Sequence, residues 1–153
     1  MRTPGSITDI KMNFELHAQL AADTVVVGDL PLCRLLLMND QQYPWTILVP
    51  RRAGLREIYE LHEADQLRFW RESAQLSQTL MTAFAGDKLN VAALGNMVPQ
   101  LHIHHIVRFK GDPAWPAPVW GKHPAQPYVA NALNERLQLL RGLVADLVLP
   151  ASA

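Results

Sequence analysis

The sequence predicts an α+β fold: an antiparallel sheet of about five strands with one long helix and a C-terminal helix. Three observations carry this. Short runs rich in Val, Ile and Leu recur at 24–30, 31–39, 45–51, 88–95 and 100–109. Residues 62–86 repeat their apolar side chains at helical spacing, and residues 131–149 do so again. Strands, then a helix, then strands, then a helix is the order of segregated elements rather than of alternating βαβ units.

FELHAQLAAD (14–23) has moderate helical character, with apolar residues at Phe14, Leu16, Ala18, Leu20 and Ala21. TVVVGDL (24–30) is β-branched and strand-like, and its Gly-Asp pair suits a turn. PLCRLLLMN (31–39) reads as a mostly buried strand, and after the loop DQQYP, WTILVPR (45–51) reads as a third. Three consecutive strands suggest an antiparallel meander. In HEADQLRFWRESAQLSQTLMTAFAG (62–86), Leu67, Trp70, Ala74, Met81 and Phe84 form one apolar stripe. Glu63 and Asp65 suit the first turn of that helix and Gly86 its C-terminal cap. KLNVAALG (88–95) and QLHIHHIVRF (100–109) follow as strands. NALNERLQLLRGLVADLVL (131–149) closes the chain as a helix with Leu133, Leu137, Leu140 and Val144 on one face.

A chain of 153 residues without repeats or low-complexity linkers fits one domain, residues 1–153, with a core at about 24–121. Fourteen basic residues balance fourteen acidic ones, so broad attraction to a nucleic-acid polymer is not expected. Cys33 is the single cysteine, lies in an apolar run and is expected to be a buried thiol. No stretch approaches the ~20 apolar residues of a membrane span, and the first residues lack a signal-peptide core, so the expectation is a cytoplasmic protein with no membrane partner.

The densest chemistry lies in QLHIHHIVRF, where three histidines fall within four positions. Side chains alternate faces along a strand. Gln100, His102 and His104 therefore share one face, and Leu101, Ile103, His105 and Val107 the other. His105 is expected to be structural. Two imidazoles two positions apart originate roughly 6.5–7 Å from each other, close enough to converge on a small anion or a metal ion. A metal would need a further ligand, and no carboxylate follows until Asp112. His17, His62 and His123 sit alone, in surface or structural settings, so no metal and no cofactor is expected. The anion reading uses the neighbours better. Gly95 and Asn96 permit a tight turn with donors at the strand entrance. Asn96, Gln100, His102 and His104 together present hydrogen-bond donors and no carboxylate, a set suited to phosphate.

The stretch GNMVPQLHIHHIVR (95–108) resembles the histidine triad (HIT) family of nucleotide hydrolases and transferases, whose signature is His-x-His-x-His on a late strand. Gly95-Asn96 matches the family's upstream glycine and amide. Gln100 stands at the first triad position, His102 at the second, His104 at the third, and Arg108 at a basic residue common downstream. The tail GDPAWPAPVWG is similar to a bacterial branch with a Gln-x-His-x-His motif, similar to dinucleoside polyphosphate hydrolases. The resemblance spans residues 24–121, most firmly 88–121.

The resemblance implies a HIT-like fold and a mechanism. His102 would attack the α-phosphorus of a nucleotide or dinucleotide, with dinucleoside polyphosphates, nucleoside phosphoramidates or adenylylated small molecules as candidate substrates, and the nucleotidyl-histidine intermediate would then pass to water or another acceptor. His104 would contact the phosphate and assist the leaving group as a proton donor. Asn96 and Gln100 would orient nonbridging oxygens. Asn39 falls near a position that contacts ribose in relatives, and Trp45 stands where many carry another histidine. Trp45, Trp115 and Trp120 are candidates for stacking on a base. A homodimer is implied as well. The alternative is a nucleotide-binding module of the same fold, its catalysis weakened because glutamine can neither donate a proton nor become a cation.

Overall fold

The computed structural model describes residues 13–149. Its elements are α1 (Ala18–Asp23), β1 (Thr24–Asp29), β2 (Cys33–Met38), β3 (Trp45–Pro50), a 3-10 turn (Ile58–Glu60), α2 (Glu63–Phe84), β4 (Lys88–Ala92), β5 (Ile103–Arg108) and α3 (Ala130–Ala145). The five strands form one sheet in the order β1-β2-β3-β5-β4, with every neighbouring pair antiparallel. The α+β fold read from the sequence is therefore the observed one. No helix among the described residues is long and apolar enough to cross a membrane.

Alternation along the strands divides the sheet into two apolar faces. One carries Leu35, Leu37, Leu48, Ile103 and Val107, and packs against Phe69, Leu76 and Leu80 of α2 and Leu137 and Leu140 of α3. The other carries Leu36, Ile47, Val49 and Ile106, and is covered by Phe14, Leu16 and Leu20 from one end of the chain and Ala114, Val119 and Trp120 from the other. Covered on both sides, β3 has all six residues buried. Each fully buried aliphatic side chain here contributes about 1.5–3 kcal/mol. Cys33 is a buried free thiol, and burial first, then Glu72, pushes its pKa well up.

Of the expected stripe on the long helix, Met81 and Phe84 pack against the core and the other three residues face outward. Leu67 and Trp70 are 58% and 52% exposed and Ala74 is exposed, whereas Phe69, Leu76 and Leu80 are buried together with Asp65, Glu72 and Ser73. The physical reason is that these three polar residues have partners inside. Asp65 takes a two-pronged bond from Arg52, at 2.8 and 3.2 Å. Glu72 accepts the backbone N–H groups of Leu32 and Cys33. Ser73 meets His105. Burial raises the Glu72 pKa above the ordinary carboxylate range, and these backbone bonds offset only part of the rise.

Several boundaries also differ. The left-handed cap after α2 is Ala85 (φ 50°), not Gly86. Gly86 is needed for another reason: a Cβ there would lie 2.5 Å from Val107 Cγ1, because the helix end presses on β5. Residues 14–17 are outside the first helix, β4 stops at Ala92, and β5 starts at Ile103. The expected strand at 100–109 thus loses its first three positions, since the ladder with β3 and β4 exists only from Ile103 onward.

Candidate active site

Although Gln100 and His102 precede β5, the alternation continues through them. Leu101 is buried in the helix-facing core. The rings of His102 and His104 lie on the other side with centroids 5.1 Å apart. Both histidines are buried, at 7% and 4% exposure.

His105 points the opposite way and is sealed. Its Nδ1 lies 3.1 Å from the Ile103 carbonyl and its Nε2 2.7 Å from Ser73 Oγ. A carbonyl can only accept, so Nδ1 carries the proton and the serine hydroxyl donates to Nε2. Both ring nitrogens are spent. Burial lowers the His105 pKa to about 4, against a smaller upward pull from the Ile103 carbonyl.

His102 and His104 each spend one nitrogen. His102 Nδ1 lies 2.6 Å from the Gln100 carbonyl oxygen, so it is the donor of that bond and Nε2 keeps its lone pair when the ring is neutral. The indole N–H of Trp45 donates to His104 Nδ1 at 2.9 Å. Indole is a donor only, so the His104 proton sits on Nε2. Burial, then the neighbouring His102 and His105, lower the His104 pKa to about 3. So held, the neutral ring presents Nε2–H as a hydrogen-bond donor. Neither Nε2 has a partner among the described residues, and neither is among the sealed polar atoms left unsatisfied.

Trp45 reaches His104 because β3 pairs with β5 in a register that sets Ile47 opposite His104 and Trp45 opposite Ile106, all on one face. Trp120 from the tail closes the far side, 5.1 Å from His104 and 5.9 Å from Trp45 between ring centroids. A cleft of about 460 Å³ opens beside these tryptophans, lined by Met38, Asn39, Asp40, Trp45, Trp120 and His123 among others. Within it Asn39 Oδ1 accepts the Tyr128 N–H. The Asp40 carboxylate, 3% exposed as a residue, takes bonds from Gln42 and Gln126. The cleft thus pairs aromatic surface with amide and carboxylate groups, the mixture a nucleoside would need.

The remaining candidate residues lie around this pair. The Gln100 carboxamide is occupied by the segment leading into α1: its Oε1 accepts the His17 N–H and its Nε2 donates to the Glu15 carbonyl, both at 2.8 Å. What Gln100 gives the histidine face is its backbone carbonyl. Asn96 is exposed on the turn before β5, where Gly95 adopts φ +80°. Of the tryptophans, Trp115 lies away from the cleft under Arg108, whose guanidinium is 5.8 Å from its ring. Arg108 itself is buried and binds Asp112, Asn90 and the Ala117 carbonyl, which ties down the tail. His17 caps α1 through Nδ1 and His62 precedes α2, both exposed, while His123 lines the cleft. Among the described residues no group of three or more His, Cys, Asp or Glu side chains converges as metal ligands do. Sequence reasoning missed Asp40 and the tail residues around Trp120. The only local signal was Asp40 next to Asn39, and nothing local places residues 119–123 beside residue 39.

Comparison with known proteins agrees with this architecture. The family model described as "HIT domain" matches residues 19–111, more than half of the chain. A histidine triad protein from Marinobacter aquaeolei VT8, solved by crystallography, is 56% identical over 88% of this chain and 98% of its own, with a TM-score of 0.86. Histidine triad proteins from Bradyrhizobium japonicum (44% identity, 86% and 98% covered, TM-score 0.83) and Sinorhizobium meliloti 1021 (38%, 90% and 99%, 0.82) superpose as well. No curated protein matches the sequence.

Proposed function

The chain belongs to the histidine triad family, and from that premise we propose that it is a nucleotide phosphohydrolase or nucleotidyl transferase acting at an α-phosphate through His102. The observation that carries the reading is the 2.6 Å bond from His102 Nδ1 to the Gln100 carbonyl. It turns the Nε2 lone pair outward and leaves it unused.

In the proposed first step His102 Nε2 attacks the α-phosphorus. A P–N bond forms, the P–O bond to the leaving phosphate breaks, and its electron pair departs with that phosphate. The ring becomes cationic while Nδ1–H keeps its carbonyl partner, which stabilises the new charge. His104 donates Nε2–H to a nonbridging oxygen, an interaction suited to charge that grows in the transition state. In the second step water or another acceptor attacks phosphorus, the P–N bond breaks, and the acceptor's proton passes to solvent. The cleft with Asn39, Asp40, Trp45 and Trp120 takes the nucleoside. Because His104 is a neutral donor, substrates whose leaving group departs as an anion fit best, as in dinucleoside polyphosphates.

The test is hydrolysis of a dinucleoside tetraphosphate. Turnover by the wild type and its loss in His102→Ala are expected; full activity in the variant would sink the mechanism. A second reading, nucleotide binding without turnover, is favoured by one observation: the Gln100 side chain serves the N-terminal segment rather than the phosphate. Nanomolar to micromolar nucleotide affinity by calorimetry with no turnover of any substrate would select it.

A homodimer is also part of the proposal. The edge strand β4 exposes Val91, and Leu67 and Trp70 are exposed on α2, which packs against β4 and β5. Light scattering coupled to gel filtration should give twice the chain mass, and a monomer at micromolar concentration would remove this part.

A further inference from the structure

We infer that Trp45 is a positioning residue: its indole N–H, bonded to His104 Nδ1, fixes His104 in the Nε2–H tautomer and so determines that this ring meets the substrate as a donor. The inference rests on the reading of His102 and His104 as the phosphate-facing pair.

The argument begins with the choice open to an unheld imidazole. A neutral ring carries its proton on either nitrogen, and only the Nε2–H form offers a donor on the atom that faces away from the backbone. His102 and His105 each have a backbone carbonyl at Nδ1, which holds the proton there. Without a counterweight, His104 would be free to adopt the same form and present a lone pair to an anionic oxygen. Trp45 prevents this because its nitrogen has no acceptor capacity, so the 2.9 Å bond exists in one tautomer only.

The surroundings strengthen the device. The groups facing His104 are Trp45 from β3, Trp120 from the tail, His102 on its own segment, and Ile47 and Ala92 opposite it on the flanking strands. None is a carboxylate that would favour an imidazolium. Burial adds to this by depressing the His104 pKa, so the ring stays neutral at physiological pH. Trp45 is itself 7% exposed and packed at edge angles on Tyr43 and Trp120, so its indole has little freedom to swing away. A phenylalanine would preserve most of this packing and remove the donor.

The test has two parts. In the full-length wild-type protein, nitrogen-15 correlation spectra of the histidine rings should show His104 unprotonated at Nδ1 and protonated at Nε2 from about pH 5 to about pH 8. This needs no variant and no substrate. In Trp45→Phe the Nδ1 signal should move or broaden as the tautomers mix. The kcat for dinucleoside polyphosphate hydrolysis should fall about tenfold. A wild-type His104 protonated at Nδ1, or doubly protonated near neutral pH, would overturn the inference. So would a Trp45→Phe protein with unchanged spectra or undiminished kcat. These outcomes are separable from failure of the hydrolase reading, which would show as full activity in His102→Ala or as no turnover by the wild type; in either case the spectra of the wild type and of Trp45→Phe alone decide the inference.

Discussion

The two faces of β5 use histidine in opposite ways. On the helix side His105 is completely buried, and both ring nitrogens are consumed, one by the Ile103 carbonyl and one by Ser73. On the other side His102 and His104 are nearly as buried, yet each commits only Nδ1 and keeps Nε2 without a partner among the described residues. Burial therefore does not separate the sealed histidine from the two that keep a ring nitrogen available. The count of satisfied ring nitrogens does. A ring with two internal partners is a strut, and a ring with one is oriented and still available.

The comparison breaks first at His102. Replacing it by alanine should lower nucleotide hydrolysis by about 10⁴-fold or more, since the attacking atom is gone. Steady-state assays would read this, and a loss below tenfold would make the two faces functionally alike. His104→Ala should cost about 10²–10³ in kcat, the scale of one lost transition-state donor.

His105→Ala should act on the other observable. It leaves Ser73 without its partner and opens a cavity, so urea denaturation should show a loss of about 2–3 kcal/mol, with kcat of the folded fraction nearly unchanged. The pH dependence has a definite sign. With a folded pKa of about 4 against an ordinary 6.5, His105 is neutral in both states above 6.5 and its contribution is intact there. As pH falls from 6.5 toward 4 the unfolded chain takes up a proton that the folded one refuses, so up to about 3 kcal/mol is lost across that window. The wild type should show this slope and His105→Ala a shallower one.

The smallest effect is expected at Gln100. Gln100→Ala removes the bonds to Glu15 and His17 but keeps the backbone carbonyl that holds His102, so kcat should fall less than about tenfold. A loss as large as that of His104→Ala would mean that the carboxamide leaves the segment and reaches the phosphate.

Much of this division is written locally. Period-two alternation separates His102 and His104 from His105 using ten residues of sequence, and it holds even where hydrogen-bonded pairing has not begun. The five strands and two main helices were legible for the same reason. The stripe on α2 is legible only at Met81 and Phe84, because Asp65, Glu72 and Ser73 face inward alongside Phe69, Leu76 and Leu80. A hydrophobic pattern cannot register polar residues whose partners, Arg52, the 32–33 backbone and His105, come from elsewhere in the chain. The Trp45–His104 bond spans 59 positions and depends on the β3–β5 register. The engagement of Gln100 with residues 15 and 17 spans more than 80, as the separations of 85 and 83 show. Neither leaves a trace in a local window.

The most direct measurement is a crystal structure with a nucleoside monophosphate bound. The account predicts the phosphorus about 3–3.5 Å from His102 Nε2, in line for attack, with a nonbridging oxygen about 2.7–3.1 Å from His104 Nε2 and the base in the cleft beside Asn39 and Trp120. A phosphate bound away from both Nε2 atoms, or a His102 ring turned to present Nδ1, would contradict it.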